Sequence, residues 1–366
     1  MLNDHNDEPN NFGTNKIVLC EIMNFLTFNR LRKIVSSIRN RSVHGFYLVK
    51  SLETHLTFVS GDSLGYLHFW DVSNKKVFLK LKEHSNTVKC ILKFNDDILI
   101  TGSYDNTIVI WNLINFKKIH KLEGHKEFVR ALIKINDFKF ASGANDHTIK
   151  IWNIDGECLK TYYGSSCFVL CFLNLIDNLF MTGTGDGNIF VWDFEGNDKP
   201  INCLKGHTLP VWCLVKVNQS TFFSGSGDGI VKKWNFENDK NLDFKFDGNI
   251  LKKPSNIINM LIIKKNILAI FFSNCEIIFF DYVKNKICGK LNSITQNSIQ
   301  ICSSELILNR FILCGYSNGN IDLFDIKNKD NHKIMTLNYY DLHSEGISKE
   351  SNNNKSVRCI ALMDVI

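Results

Sequence analysis

The sequence predicts an all-β fold, a closed ring of seven four-stranded sheets behind a short N-terminal helical hairpin. Three observations lead there. Tryptophan recurs at Trp70, Trp111, Trp152, Trp192 and Trp234, at intervals of 41, 41, 40 and 42 residues. The residues before each one superimpose: TGSYDNTIVIWNL from Thr101, SGANDHTIKIWNI from Ser142, TGTGDGNIFVWDF from Thr182 and SGSGDGIVKKWNF from Ser224. A looser copy, SGDSLGYLHFWDV, starts at Ser60, and two later ones, SNCEIIFFDY and SNGNIDLFDI, place Phe280 and Phe324 in the tryptophan slot. Seven units of roughly 42 residues result, a period typical of radially repeated sheets. The third observation is the strand-and-turn grammar inside each unit. A lone four-stranded sheet cannot bury both faces, so neighbouring units must stack around an axis.

The elements follow in order. Residues 1–14 are polar and acidic and read as a disordered tail. In residues 15–40, Leu19, Ile22, Met23 and Leu26, then Leu31, Ile34, Val35 and Ile38, recur at i, i+3, i+4, i+7. That spacing predicts two short amphipathic helices, the second capped by Asn29. The ring is expected over residues 43–338. In a typical unit, Val88–Leu92 alternates, a turn follows at Asn95–Asp97, and Ile98–Gly102, Ile108–Trp111 and Lys117–Leu122 supply three more strands. The Phe236–Asn256 connection is enlarged, and His332–Leu337 forms the outer strand of the seventh unit. Closure by an outer strand from either end is expected, because an open ring leaves unpaired edges; Leu31–Ile38 is the alternative closing strand if it is not helical. Residues 339–366 read as a tail with one surplus strand-like segment, SVRCIALMDVI. It resembles the first strand of another unit, and it either begins a shortened unit or pairs elsewhere.

These repeats resemble the WD-repeat β-propeller family. Its Gly-His and Trp-Asp pairs are present as Gly124-His125, Gly206-His207, Trp70-Asp71 and Trp192-Asp193. The family's polar tetrad maps onto His84, Thr101, Asp105 and Trp111; onto His125, Ser142, Asp146 and Trp152; and onto His207, Ser224, Asp228 and Trp234. The resemblance implies a buried hydrogen-bond network in each of those blades. Ser165 replaces the histidine in the fourth unit and Leu64 the aspartate in the first. Residues 15–40 are similar to part of an F-box, with Ile22, Phe25, Leu26, Leu31 and Ile34 in the apolar positions, although the Leu-Pro start and late tryptophan are missing. A plain helical cap on the ring is the competing reading.

Composition narrows the function. With 44% hydrophobic residues the chain can build a large core, and 43 basic against 37 acidic residues is too slight an excess to argue for direct nucleic-acid binding. No secretory signal is evident, and charged and polar residues break the most apolar stretch, so membrane insertion is not expected. The twelve cysteines do not cluster. Cys90, Cys171, Cys213 and Cys359 each sit two positions after a valine, one per unit, as small packing residues in a reduced compartment, cytosol or nucleus. No catalytic, cofactor or metal set is expected. The His/Asp/Ser constellations recur with the repeat, and the glycine strings Gly183–Gly187 and Gly225–Gly229 run into strands rather than helices. What remains is a non-enzymatic scaffold that binds other proteins within a hetero-complex. Two further readings are a substrate-recognition subunit of a cullin-type ubiquitin ligase and a subunit of an RNA-processing or ribosome-assembly complex.

The candidate partner-binding residues occupy one end of the ring. Trp212 is the sixth tryptophan and the sole one outside the repeat slot; its equivalents are Lys89, Arg130 and Leu170 on first strands near the channel mouth. Two sets should share one rim: Thr87, Phe128, Phe168 and Pro210, and Tyr104, Asn145, Gly185 and Gly227. Trp212, Arg130, Lys89, Tyr104, Phe128 and Phe168 are the candidates, with packing against neighbouring blades as the other reading of Trp212.

Overall fold

Strand after strand, the chain builds sheets whose central members are largely buried and whose outermost member is largely exposed or half-buried. The computed structural model describes residues 57–337 and 357–363, apart from 73, 177, 238–242, 293–298, 308–309 and 327–332. The expected disordered tail and helical hairpin lie outside the described residues. Within them are 28 strands in seven four-stranded antiparallel sheets and no helix.

Blade 2 shows the plan. Inner β4 (Val88–Lys93) pairs with β5 (Ile98–Ser103), then β6 (Ile108–Asn112), then outer β7 (Lys117–Leu122). The apolar run IVIW in β6 is buried along its length, as a strand covered on both faces requires. Outer strands face solvent, so in blade 1 the sequence KVFLKLK alternates exposed residues, three lysines and Phe78, with half-buried ones. A β-bulge interrupts the pairing of outer strands at Phe78, Ile119 and Leu159 in blades 1, 2 and 3. Lysines and bulges together blunt these open edges against pairing with another chain.

The inner strands form the ring. β4, β8 (Val129–Lys134), β12 (Val169–Asn174), β16 (Val211–Lys216), β20 (Ile257–Lys264), β24 (Ile301–Ile307) and β28 (Val357–Met363) each contact the next, and β28 returns to β4. Hydrophobic burial is divided accordingly into seven clusters, one between each pair of neighbouring blades. The aromatic of the repeat slot always packs back on the preceding blade: Trp111 on blade 1, Trp152 on blade 2, and Phe324 on blade 6. Near the axis the blades approach closely. A Cβ on Gly102 would lie 2.6 Å from Val129 Cγ1 and 2.7 Å from Cys90 Sγ, and Gly61, Gly183 and Gly225 meet the same obstruction.

Closure differs from the sequence-based expectation. The surplus C-terminal segment is not part of a tail, and no outer strand closes the described ring. Instead β28 pairs with β1 (Thr57–Asp62) as the innermost strand of blade 1, followed by β2 (Tyr66–Asp71) and outer β3 (Lys76–Lys82), in the order β28-β1-β2-β3. The reason is visible in the first unit, which enters at its second strand and leaves the inner slot empty. The Val357-to-Cys359 spacing matches that slot in blades 2, 4 and 5, and Cys359 Sγ donates to the carbonyl of Val88 at 3.1 Å. Lys333–Leu337 is the outer strand of blade 7. The enlarged Phe236–Asn256 connection is a lengthened outer hairpin, β18 (Ile230–Glu237) with β19 (Asp243–Lys252).

Candidate interaction face

Loops that precede the inner strands and the tight turns between the second and third strands meet at one end of the ring, the upper face. Three polar tetrads lie just beneath it. In blade 3, Trp152 Nε1–H donates to Ser142 Oγ at 2.8 Å, Ser142 Oγ is 2.7 Å from His125 Nε2, and His125 Nδ1 is 2.9 Å from Asp146. The indole N–H donates to the hydroxyl, and the imidazole bridges the hydroxyl and the carboxylate. Blade 2 repeats this through Trp111, Thr101, His84 and Asp105, at 3.0, 2.8 and 3.0 Å. Blade 5 does so through Trp234, Ser224, His207 and Asp228, at 2.8, 2.7 and 2.9 Å.

Each aspartate also accepts the backbone N–H of the residue after its histidine. Burial would raise the Asp105, Asp146 and Asp228 carboxyls, but the hydrogen bonds and histidine charges outweigh it and hold them below the usual range. Burial depresses His207 despite Asp228. With every polar atom engaged inside the blade, these tetrads are structural; they present no free nucleophile or base.

Two blades solve the problem differently. In blade 4, Ser166 donates to Asp186, Thr184 Oγ1 donates to the same carboxylate at 2.6 Å, and Trp192 Nε1 keeps its bond to Thr182 at 2.9 Å. In blade 1, Asp62 accepts the N–H groups of Leu64 and Tyr66 at 2.9 Å and faces His68 Nε2 at 3.0 Å. Asp62 thus stands in for the turn aspartate that Leu64 displaces. Nothing in the repeat alignment marks it.

The two rim sets do pair. Backbone N–H groups of Tyr104, Asn145, Gly185 and Gly227 donate to the carbonyls of Thr87, Phe128, Phe168 and Pro210 at 2.9–3.0 Å. The aromatics then join across blades. Tyr104 stacks on Phe128 with ring centroids 4.5 Å apart and planes inclined by 12°. The Arg130 guanidinium lies 5.2 Å from the Tyr104 ring and 5.7 Å from Phe168, donates to Tyr104 Oη at 3.0 Å and also to Asn145 Oδ1. His147 meets Phe168 edge-on at 6.3 Å. Phe168 lies against Gly185, where any side chain would collide with the ring's Cε2–Cδ2 edge. Four of the six candidates therefore form one cluster over blades 2 to 4.

The other two stand apart. Trp212 is half-buried against Gly227, where a methyl group would come within 3.4 Å of the indole nitrogen. Lys89 is half-buried beside the closing strand, near enough to bias the Cys359 thiol. All four first-strand residues share one cause. Lys89, Arg130, Leu170 and Trp212 are the extra residues of β-bulges; Arg130 and Trp212 reach the rim residues Asn145 and Gly227, whereas Leu170 is buried. Ile258 and Cys302 hold the same bulge position in blades 6 and 7, and Arg358 holds it in the closing strand. Sequence reasoning missed these three because blades 6 and 7 carry Asn259 and Ser303 in the cysteine position, and β28 was not assigned to a blade.

The family profile described as WD domain, G-beta repeat matches residues 75–112, 116–153, 156–193 and 198–235. Each match runs from the outer strand of one blade through the third strand of the next, as a ring of interlocked units requires. The chain is a WD-repeat β-propeller. No curated protein matches it significantly. The four matched repeats are those of blades 2 to 5, which carry the three full tetrads and the aromatic cluster. Propellers of this family serve as protein-interaction scaffolds. Among the described residues no group of three or more His, Cys, Asp and Glu converges on a metal-sized site, and no helix is long and apolar enough to cross a membrane. The inner-strand thiols are packing groups: burial pushes Cys90 and Cys171 up to about 12, far from thiolate chemistry.

Proposed function

We propose that the chain is a non-enzymatic subunit of a multiprotein complex and that its upper face over blades 2 to 5 is the principal docking surface. The single observation behind this reading is the cluster of Tyr104, Phe128, Arg130 and Phe168. Phe128 is 37% exposed at the centre of an ordered aromatic–arginine array, a composition that concentrates binding energy at protein interfaces. A rigid wheel also holds neighbouring loops at fixed separations, so several weak contacts act together.

The test is affinity capture with the full chain and with Phe128→Ala and Trp212→Ala. Both variants should lose most of the proteins retained by the wild type, with melting within a few degrees of it. Phe138→Ala, a 69% exposed aromatic at the opposite end of blade 3, should retain them. Equal capture by all three variants would place docking elsewhere.

A further inference from the structure

The channel mouth has two chemically different halves. Bulge residues Lys89 and Arg130 on blades 2 and 3 are cationic, and Arg358 occupies the same register on blade 1. Continuing around, Trp212 on blade 5 presents a half-buried indole, whereas Leu170 on blade 4 is buried and Ile258 on blade 6 packs into the core toward blade 7. None of the seven bulge residues is acidic. Nor is any of the twelve rim residues joined by backbone bonds, from Thr87 and Tyr104 round to Gln300 and Ser317. The turn aspartates beneath are already saturated by histidine, hydroxyl and backbone donors. Neither Lys89 nor Arg130 pairs with a carboxylate among the described residues. The partners of Arg130 are a phenol, an amide and two ring faces, which orient the guanidinium while leaving its charge uncompensated.

From this asymmetry we infer that the mouth binds an extended acidic peptide segment of another protein, with carboxylates over Lys89 and Arg130 and a bulky apolar side chain beside Trp212. The inference rests on the docking reading above and specifies the partner's chemistry. An oriented guanidinium with free N–H groups suits a carboxylate, and a charge-assisted bond there is worth more than a neutral one. Single-stranded RNA is the other polyanion a basic, aromatic surface could take. It fits less well, because base stacking needs open ring faces. Here Tyr104 and Phe128 cover each other, and Arg130 lies over the Phe168 ring, whose edge meets Gly185.

The experiment is selection of a random-sequence peptide library, displayed on phage, against the immobilised full chain at low ionic strength. The expected result is enrichment of peptides with adjacent Asp or Glu beside Leu, Ile, Phe or Trp. Binding should weaken roughly tenfold with Arg130→Ala and roughly threefold with Lys89→Ala, and fall further as salt is raised. Lys89→Glu should retain wild-type melting and reverse the selection toward basic peptides, which separates charge reading from misfolding. Neutral or basic winners that still depend on Phe128 would overturn the acidic inference while sparing the docking surface. Winners indifferent to Phe128, Arg130 and Trp212 would remove both, and an empty selection would remove the acidic inference. Tighter binding of an oligouridylate than of any selected peptide would also overturn it.

Discussion

Removing one hydroxyl from blade 3 tests whether the tetrads act as connected networks. Ser142 is fully buried; its oxygen accepts the indole N–H of Trp152, and its hydroxyl is hydrogen-bonded to His125 Nε2. Ser142→Ala deletes the oxygen with almost no change of volume and orphans two buried groups. Each costs about 1–3 kcal/mol, so a loss of roughly 3 kcal/mol is expected. The internal control is Thr182→Val in blade 4, where the same oxygen position serves Trp192 alone because Ser165 replaces the histidine. One orphan there should cost roughly 1.5 kcal/mol. The assay is urea unfolding of both variants, followed by tryptophan fluorescence and circular dichroism. Spread over some 300 ordered residues, 3 kcal/mol lowers melting by roughly 5 °C. Reasoning from connectivity fails if Ser142→Ala stays within about 0.5 kcal/mol of wild type, or if Thr182→Val costs as much.

Other expectations concern pH, packing and closure. The folded state holds His207 below its ordinary 6.5 and Asp105, Asp146 and Asp228 below 3.8, so the unfolded chain binds more protons as pH falls. Stability should decline first below about pH 6.5 and again below about pH 4, measured by urea midpoints across pH. Glu305, on the inner strand of blade 7, behaves oppositely. Burial pushes it from 4.5 up to about 7, so its destabilising ionisation grows as pH rises through that interval. Glu305→Gln should therefore gain roughly 1–3 kcal/mol at pH 8 and nothing at pH 4. Gly102→Ala should lose about 1–3 kcal/mol, because the new methyl overlaps Val129 and Cys90 across the blade interface. Truncation after Ser356 removes β28 and bares β1; gel filtration should show oligomers or aggregate rather than a compact monomer.

Much of this fold is legible because the repeat writes local geometry directly. A blade aromatic every 40 or so residues fixes the sheet count, and the 21-residue separation of His125 and Asp146 fixes which groups meet. The rim pairs are readable for the same reason. What escapes is pairing between distant segments. Val357–Met363 carries inner-strand grammar, yet the partner that gives it a place lies about 300 positions earlier, at Thr57–Asp62. The Tyr104–Phe128–Arg130–Phe168 array also escapes, since each pair bridges blades and depends on how neighbouring bulges aim their side chains. Asp62 is hidden because it substitutes for a missing turn aspartate from a different position.

Closure by β28 has a geometric result at the seam of the ring. Thr57 and Met363 are direct partners in the ladder, so β1 begins and β28 finishes side by side at the edge remote from Arg130 and Trp212. The six-residue depth of β1 sets about 20 Å between these two sides. The ladder that joins β28 to β1 thus starts a strand's length beneath the docking rim.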